Sequence, residues 1–530
     1  MEFLRSIFRQ QQTKQDTGWM MENSLRCPRE KTVQELASIL DQERVVNIRG
    51  TPASGKTVLA RLLFNHYYDR QFPVIYISAW PQKQTDSYKS ILVREARDAG
   101  YEFVTYATLA DANIVIILDE AQMSYGDEGL WLGLIKSQSG RHEGPRIALF
   151  TSYGSPTTGP EVILPGSPLA SLGPQQRVSI TPSIIRYSPK IALFYNRKEF
   201  DDVVSRYCQD PSLLKLDDGA SDYLFNLTNG HPGAVDGVLN MLQKVYHSDL
   251  KRGMDIVYEA DIRKTLEQKY EAFSFLEQTP VHRSFVNLRN LTPRAANTLR
   301  KVLIEGNVPR DLNDEGVRTC YEQGWLHTEA LDSRAMEIIC ILPTNLHAKF
   351  VEYYLADPGV EFPREKFPDV KALAEATLRQ LSRRNLRAVT RFGVGAIIRP
   401  LEATYQDEFY RSLHTVLGYA MDVTSEWSPD GVGRIDFRLS SVRWGIELLR
   451  EGDRLHDHCQ RFTTDGAYGK WIQQGLLEDW LVIDCRTSSP RSYEIPGTKL
   501  WRAVFAPDFS DVEVRDQYNR VVVDRFALTE

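Results

Sequence analysis

The 530-residue sequence has no run of eighteen apolar residues and no C-x-x-C pair, and its cysteines (Cys27, Cys208, Cys320, Cys340, Cys459, Cys485) stand singly. The first absence excludes a transmembrane helix. The second excludes a zinc knuckle or a redox dithiol and leaves thiols of the reduced, intracellular kind. Positive charge is also short: 64 Lys and Arg against 70 Asp and Glu give a formal net charge of −6. A uniformly basic nucleic-acid coat is thereby ruled out, so any polyanion site has to be a local patch. The opening MEFLRSIFRQQQTKQDTGW is too polar for a secretory signal core. What is present is a 42% apolar fraction, enough for the cores of about two to four soluble domains with no membrane contact.

The chain is organised around residues 43–58, ERVVNIRGTPASGKTV. A β-branched run (Val45, Val46, Ile48) meets the octet Gly50–Thr57, which has the G-x-x-x-x-G-K-[ST] form of a Walker A loop. Gly50 and Gly55 allow backbone angles that turn N–H groups, including those of Ser54 and Val58, toward a phosphate at the start of the following helix. Lys56 supplies a charge for the β- and γ-phosphates, and Thr57 a hydroxyl for Mg²⁺. The nucleotide is ATP or GTP.

A strand VIYISAW and a helix SYKSILVREARDAG then lead to NIVIILDEAQ (Asn113–Gln122), an apolar strand of the parallel-sheet type. It ends on Asp119 and Glu120, the form of a Walker B pair: Asp119 for the Mg²⁺ shell, Glu120 to polarise the attacking water. The next strand ends on Thr151 and Ser152, which read equally as γ-phosphate sensors and as ordinary strand-end residues. This order predicts a doubly wound parallel sheet. It resembles the P-loop NTPases with an added strand and a catalytic glutamate, and within them the STAND and origin-recognition-like ATPases. That resemblance implies that Gly230, His231 and Pro232 of NGHPGAV bring Pro232 to the nucleotide, although helix initiation alone also explains this turn. It also calls for an arginine at the transferring phosphate, for which Arg186 and Arg197 are candidates.

Residues 251–368 predict a helical, winged-helix-like module after the NTPase and its helical lid (33–250), with residues 1–32 as a linker or the remnant of a leading segment. From 369 the sequence changes. Arg379, Arg383, Arg387 and Arg391 recur every four residues, a basic stripe if helical, with Arg384 and Arg399 nearby. A solvated basic face or an import signal reads the same way. Beyond them an α-β-β-β-α-β order places Asp436 and Glu447 on adjacent strands. This resembles the PD-(D/E)XK nuclease core, in which two such carboxylates hold Mg²⁺ at a scissile phosphate. The lysine usual two residues after the glutamate is Leu449 here. Strand alternation turns Arg450 away unless a bulge re-aims it, and leaves Arg454 or His458 as the substitute cation. Glu402 or Gln406 on the leading helix completes the expected shell.

Together GTPASGKT, LDEAQ, FTSYGS, FYNRKEF, NGHPGAV and GRIDFRL…WGIELLREGDRLHDHCQRF resemble the Crinkler-type (CRN) effectors of fungi and oomycetes, a STAND-like NTPase joined to a PD-(D/E)XK nuclease-like domain. The resemblance implies an ATP-controlled nuclease with DNA as substrate, Asp436, Glu447 and Arg450 at its centre, and an intracellular, often nuclear, target in a host or competitor cell. The translocation segment of those effectors, rich in leucine and phenylalanine, is not visible in residues 1–32. A nucleotide-switched scaffold whose nuclease fold only binds, assembling as a homo-oligomer, is the alternative that the missing lysine favours.

Overall fold

The computed structural model describes residues 27–81, 86–152, 172–209, 214–252, 256–356, 360–387, 391–392, 397–398, 401–418, 421, 423–429, 433–494 and 496–529. Residues 1–26, Arg399 and the side chains of Arg391 and Glu402 lie outside the described residues. By its own contacts the chain divides into two compact units, one running to Glu259 and taking in Leu276–Ser284, the other made of Ala260–Phe275 and the chain from Phe285. Most of the predicted 251–368 module thus shares a unit with 369–530.

In the first unit, helix α1 (Glu30–Glu43) buries Val33, Leu36, Ala37 and Leu40, the spacing of a one-sided helix. Strand β1 (Val45–Arg49) leads through the Gly50–Gly55 loop into α2 (Lys56–Tyr68). Then come β2 (Val74–Ile77), α3 (Tyr88–Asp98), β3 (Val115–Leu118), β4 (Arg146–Thr151) and β5 (Arg177–Val178). These strands form one parallel sheet in the order β2-β3-β4-β1-β5. All four residues of β3 are buried, as expected of a strand covered on both faces. Helices α4 (Arg197–Gln209), α5 (Asp218–Thr228) and α6 (Pro232–Lys251) follow.

Arg29 ties the start of α1 to the chain before α4. Its guanidinium donates to the carbonyls of Ala192 (2.8 Å), Leu193 (2.8 Å) and Phe194 (3.2 Å) and to Glu199 Oε2 (3.0 Å). Both side chains are buried, and Thr32 Oγ1 donates to the other Glu199 oxygen. Removing one member of such a pair strands the other charge in a poorly solvated site. Arg29→Ala is therefore expected to cost about 3–5 kcal/mol. Hydrogen exchange at the α1 and β1 amides reads that loss.

In the second unit, α7 (Pro293–Glu305), β6 (Val308–Pro309), α8 (Glu315–Glu322), β7 (His327–Ala330) and β8 (Ile338–Ile341) follow in order, with an antiparallel sheet β6-β8-β7. Helices α9 (Asn345–Leu355), α10 (Val370–Leu378) and α11 (Leu401–Leu417) precede a seven-stranded sheet. Its strands are β9 (Val423–Trp427), β10 (Ile435–Leu439), β11 (Trp444–Arg450), β12 (Asp479–Arg486), β13 (Leu500–Phe505), β14 (Asp511–Asp516) and β15 (Val521–Ala527), in sequential order, with helix α12 (Leu455–Gln460) between β11 and β12. The β11-β12-β13 pairs are parallel and the flanking pairs antiparallel. One face packs Leu448, Leu481 and Ile483 with Leu373 of α10 and Phe409 of α11. The other packs Leu449 and Val482 with Phe462, Trp471 and Trp480. Alternation along β11 and β12 sends neighbouring residues to opposite cores.

The predicted basic stripe does not form. Helix α10 ends at Leu378, Arg383–Arg387 is a separate short helix, and Arg391–Phe392 is a strand. Burial of Leu381 and Leu386 and the bridge from Ser382 to Thr529 force the break. Arg379 instead pairs with Glu375 (2.8 Å) and Arg383 with Asp508 (2.7 Å).

Candidate functional site

The phosphate loop is shaped by what cannot be added to it. A Cβ on Gly50 would lie 2.4 Å from Leu193 Cδ1 and 2.5 Å from Ser54 Oγ, and Gly55 has a φ of +87°. Lys56 is buried and folded back, its Nζ donating to the carbonyls of Gly50 (3.1 Å) and Thr51 (2.8 Å). Burial lowers its pKa to about 8, against the pull of Glu120 and Asp119. Thr51 Oγ1 and Ser54 Oγ are buried without a hydrogen-bond partner among the described residues. Thr57 is exposed on the first turn of α2, next to the half-buried Val58. Orphaned hydroxyls, a buried ammonium and a helix N-terminus fit a polyphosphate.

Asp119 and Glu120 leave β3 at the same edge of the sheet. Asp119 is buried, with Oδ2 accepting from the Tyr76 hydroxyl (2.9 Å) and Oδ1 from the Glu120 N–H (3.1 Å). Glu120 has a φ of +47°, a conformation costly for a residue with a side chain and one that persists only when its surroundings hold it. They do: Gln122 Nε2 and, at 3.4 Å, Ser152 Oγ donate to Glu120 Oε2, and the Ser152 N–H donates to Gln122 Oε1 at 3.1 Å. Thr151 is occupied elsewhere. Its hydroxyl donates to Asn47 Oδ1 (3.0 Å) between β4 and β1, and its carbonyl accepts from the Gly50 N–H (3.1 Å). Of the two predicted hydroxyls it is Ser152 that reaches the catalytic candidate. Asn47, Tyr76 and Gln122 were not predicted as site residues, although Gln122 stands in the LDEAQ string.

The weak GHPG signal lies against the loop. The Gly233 N–H donates to the Ala53 carbonyl at 3.1 Å, and a Cβ on Gly55 would stand 3.1 Å from Pro232 Cγ. His231 is fully buried beside Phe194, its Nδ1 accepting from the Ala234 N–H at 3.2 Å, and burial pushes its pKa down to about 3, so it packs as a neutral ring. Gly230 has a φ of +69°, and a Cβ there would come 2.2 Å from the Tyr195 carbonyl oxygen. Of the arginine candidates, Arg197 pairs with Asp201 and Asp222, while the exposed Arg186 lies 4.7 Å from the Tyr187 ring centroid.

Residues 29–93 match the family model for Novel STAND NTPase 3. The matched stretch spans α1, β1, the phosphate loop, α2, β2 and the first part of α3. Among solved structures the chain is similar to a Walker-type ATPase of Pyrococcus abyssi, at 15% identity and a TM-score of 0.37 over 61% of this chain and 95% of that one. It is also similar to the Thermotoga maritima RuvB Holliday junction branch migration motor (15%, TM-score 0.29, 59% and 91%) and to Drosophila ORC bound to DNA (11%, TM-score 0.29, 62% and 86%). No curated protein matches. Beside the phosphate loop, a Cβ on Gly233 would sit 2.8 Å from Ala53 Cβ and 2.9 Å from its carbonyl oxygen. Gly233→Ala is therefore expected to push α6 off the loop and weaken nucleotide binding about tenfold or more, with the sheet intact, as read by titration with a fluorescent nucleotide.

The carboxylate pair of the second unit has a different character. The β10–β11 ladder runs from Leu439↔Trp444 to Phe437↔Ile446, so Asp436 falls opposite Glu447. Asp436 Oδ2 accepts from the Leu448 N–H (2.7 Å) and Oδ1 from Gln406 Nε2 (3.0 Å) on α11. Burial, then the Glu447 charge, raises its pKa to about 7. Glu447 is 2% exposed. His458 Nδ1 (2.5 Å) and Arg461 Nη1 (2.9 Å) contact its Oε1, and the Tyr468 hydroxyl its Oε2 (3.2 Å).

His458 thus holds the place that the sequence left to Arg454 or His458. Arg461, on the next turn of chain, and Tyr468, in the loop beyond it, were not foreseen. Pairing of β11 with β12 is unbroken from Trp444↔Asp479 to Arg450↔Cys485, so no bulge re-aims Arg450, which lies on the opposite face from Glu447. Leu449 shares the Glu447 face and fills the apolar cluster. The expected role of Arg450 beside Glu447 is corrected accordingly. Among the described residues no group of three or more His, Cys, Asp and Glu side chains gathers for a metal. A guanidinium, a ring nitrogen and a phenol already occupy the Glu447 oxygens, and as arranged this donor set does not fit a divalent cation.

Proposed function

We propose that the protein is a nucleotide-switched ATPase (or GTPase) whose C-terminal restriction-endonuclease-like domain engages DNA. The observation that carries the reading is Lys56, a buried ammonium held by its own loop carbonyls beside Ser54 and Thr51 hydroxyls that have no partner among the described residues. Lys56 takes the β- and γ-phosphates and the 50–55 amides cradle them. Thr57 and Asp119 are the residues that would hold Mg²⁺, which when bound neutralises charge between the β- and γ-phosphates. Glu120, oriented by Gln122 and Ser152, positions the attacking water and accepts its proton. Pro232 closes the loop from the lid side. Lys56→Ala is expected to abolish nucleotide binding. Glu120→Gln should keep binding and lose roughly 100-fold or more in turnover, measured as phosphate release. Equal turnover in Glu120→Gln and the parent would remove Glu120 from the mechanism.

For the C-terminal domain, the Arg461 guanidinium and the His458 and Tyr468 side chains on Glu447 support binding without metal-dependent cutting. The order of elements and the Asp436/Glu447 pair support the second reading, a Mg²⁺-dependent DNA nuclease under nucleotide control. The Crinkler-type sequence blocks add to either reading an effector acting on nucleic acid in another cell, including its nucleus, and a nucleotide-driven homo-oligomer is consistent with both. A plasmid-nicking assay with Mg²⁺ or Mn²⁺, with and without ATP, separates them. Retention of plasmid without nicking is expected. Nicking that disappears in Asp436→Ala and Glu447→Ala would establish the nuclease.

A further inference from the structure

A carboxylate orients a cation only as well as its own oxygens are held, and Asp119 is held from the neighbouring strand. Tyr76 of β2 is level with Ile117 of β3, and the parallel pairing runs on through the Asp119 N–H, which donates to the Ile77 carbonyl at 2.9 Å. Asp119 therefore stands two residues beyond Tyr76 on the same face of the sheet, about 6.6 Å along the strands. A tyrosine side chain spans that step. Its hydroxyl donates to Asp119 Oδ2 at 2.9 Å, while Oδ1 accepts the Glu120 N–H at 3.1 Å. One donor on each oxygen fixes the plane of the carboxylate, and each oxygen keeps a second lone pair for a further partner.

Tyr76 is in turn held from α2. Arg61 Cζ lies 3.8 Å from the centroid of the Tyr76 ring, and Phe64 meets that ring edge-on, with centroids 6.3 Å apart and 78° between the planes. Arg61 is half-buried and pairs with no acid among the described residues, so the ring face is the partner its guanidinium has. It is four residues beyond Thr57, one turn along the same face of α2. The helix that begins at the phosphate loop thus reaches the Walker B acid through two side chains, Arg61 and Tyr76.

We propose that Tyr76 is a positioning residue for Asp119: with Arg61 stacked on its ring, its hydroxyl holds the carboxylate in the orientation that takes Mg²⁺, and so sets how much Mg²⁺ the bound nucleotide requires. This rests on the nucleotide-hydrolysis reading above, in which Thr57 and Asp119 would hold the metal. Tyr76 exchanges no proton in this role and acts only through Asp119. Without it, ordering of the carboxylate falls to the cation and is taken from the free energy of metal binding. The loss of one such outer partner lowers metal affinity by about 10–100-fold.

The test uses the full chain as Tyr76→Phe, Arg61→Ala and Arg61→Lys, with a slowly hydrolysed fluorescent ATP analogue titrated first in EDTA and then in rising Mg²⁺. Tyr76→Phe removes one oxygen and leaves the ring between Arg61 and Phe64. Its affinity for the probe in EDTA should stay within about 2-fold of the parent, while the Mg²⁺ concentration at half of the metal-dependent gain in binding should rise about tenfold or more. Arg61→Ala should move the same midpoint about 3-fold, and Arg61→Lys less, because an ammonium keeps the charge over the ring without the planar stack. A purely structural role would lower stability and leave the Mg²⁺ midpoint in place. An unmoved midpoint in Tyr76→Phe would overturn the proposal, as would an equal loss of probe with and without Mg²⁺, which would signal only damage to the loop. Should Tyr76→Phe fail to fold, an unmoved midpoint in Arg61→Ala overturns it in the same way. A parent chain that takes up the probe in neither condition would instead overturn the nucleotide reading itself.

Discussion

The first unit depends on keeping one ammonium charged where water barely reaches it. Desolvation works against the Lys56 charge, and two loop carbonyls, with Asp119 and Glu120 beyond them, work for it. Carbonyls can turn inward only if the loop is tight, which is why Gly50 tolerates no side chain against Leu193 and Gly55 sits at positive φ. The loop in turn is braced from two sides, by the Thr151 carbonyl at the end of β4 and by the first turn of α6 through Gly233. A polyphosphate that takes up Lys56 has to replace those two carbonyls as its partners, so part of its binding free energy goes into remaking the loop.

The local part of this arrangement was legible in the sequence. The Walker loop and the DE pair each sit within a few residues of a strand whose burial shows as an apolar run, and spacing alone places them. Contacts formed only after the chain folds back were not legible. Tyr76 reaches Asp119, and Asn47 reaches Thr151, across neighbouring strands whose order no local pattern encodes. Arg29 looks like any linker arginine until three carbonyls some 165 residues on close around it. GHPG reads as an ordinary helix start because its value lies entirely in what Pro232 and Gly233 touch.

In the second unit the same division is sharper. Element order and the facing of β11 followed from alternation, including Leu449 inward and Arg450 away from Glu447. The basic stripe failed because four-residue spacing describes a helix only if the chain stays helical, and here the helix ends at Leu378 with Leu381 and Leu386 buried in the core beyond it. The chemistry around Glu447 was hidden because its partners arrive from a helix and loop 11 to 21 residues later. A carboxylate motif names two acids; whether cations or water face them is decided by that later segment.

A nucleotide switch further requires that ATP and ADP states differ in free energy at some element beyond the loop. Tight binding alone does not supply this, since a ligand gripped equally in both states moves nothing. In this chain the elements in direct contact with the loop are the end of β4, through the Thr151 carbonyl, and the first turn of α6, through Gly233, so a difference between the two states has to begin at those two contacts.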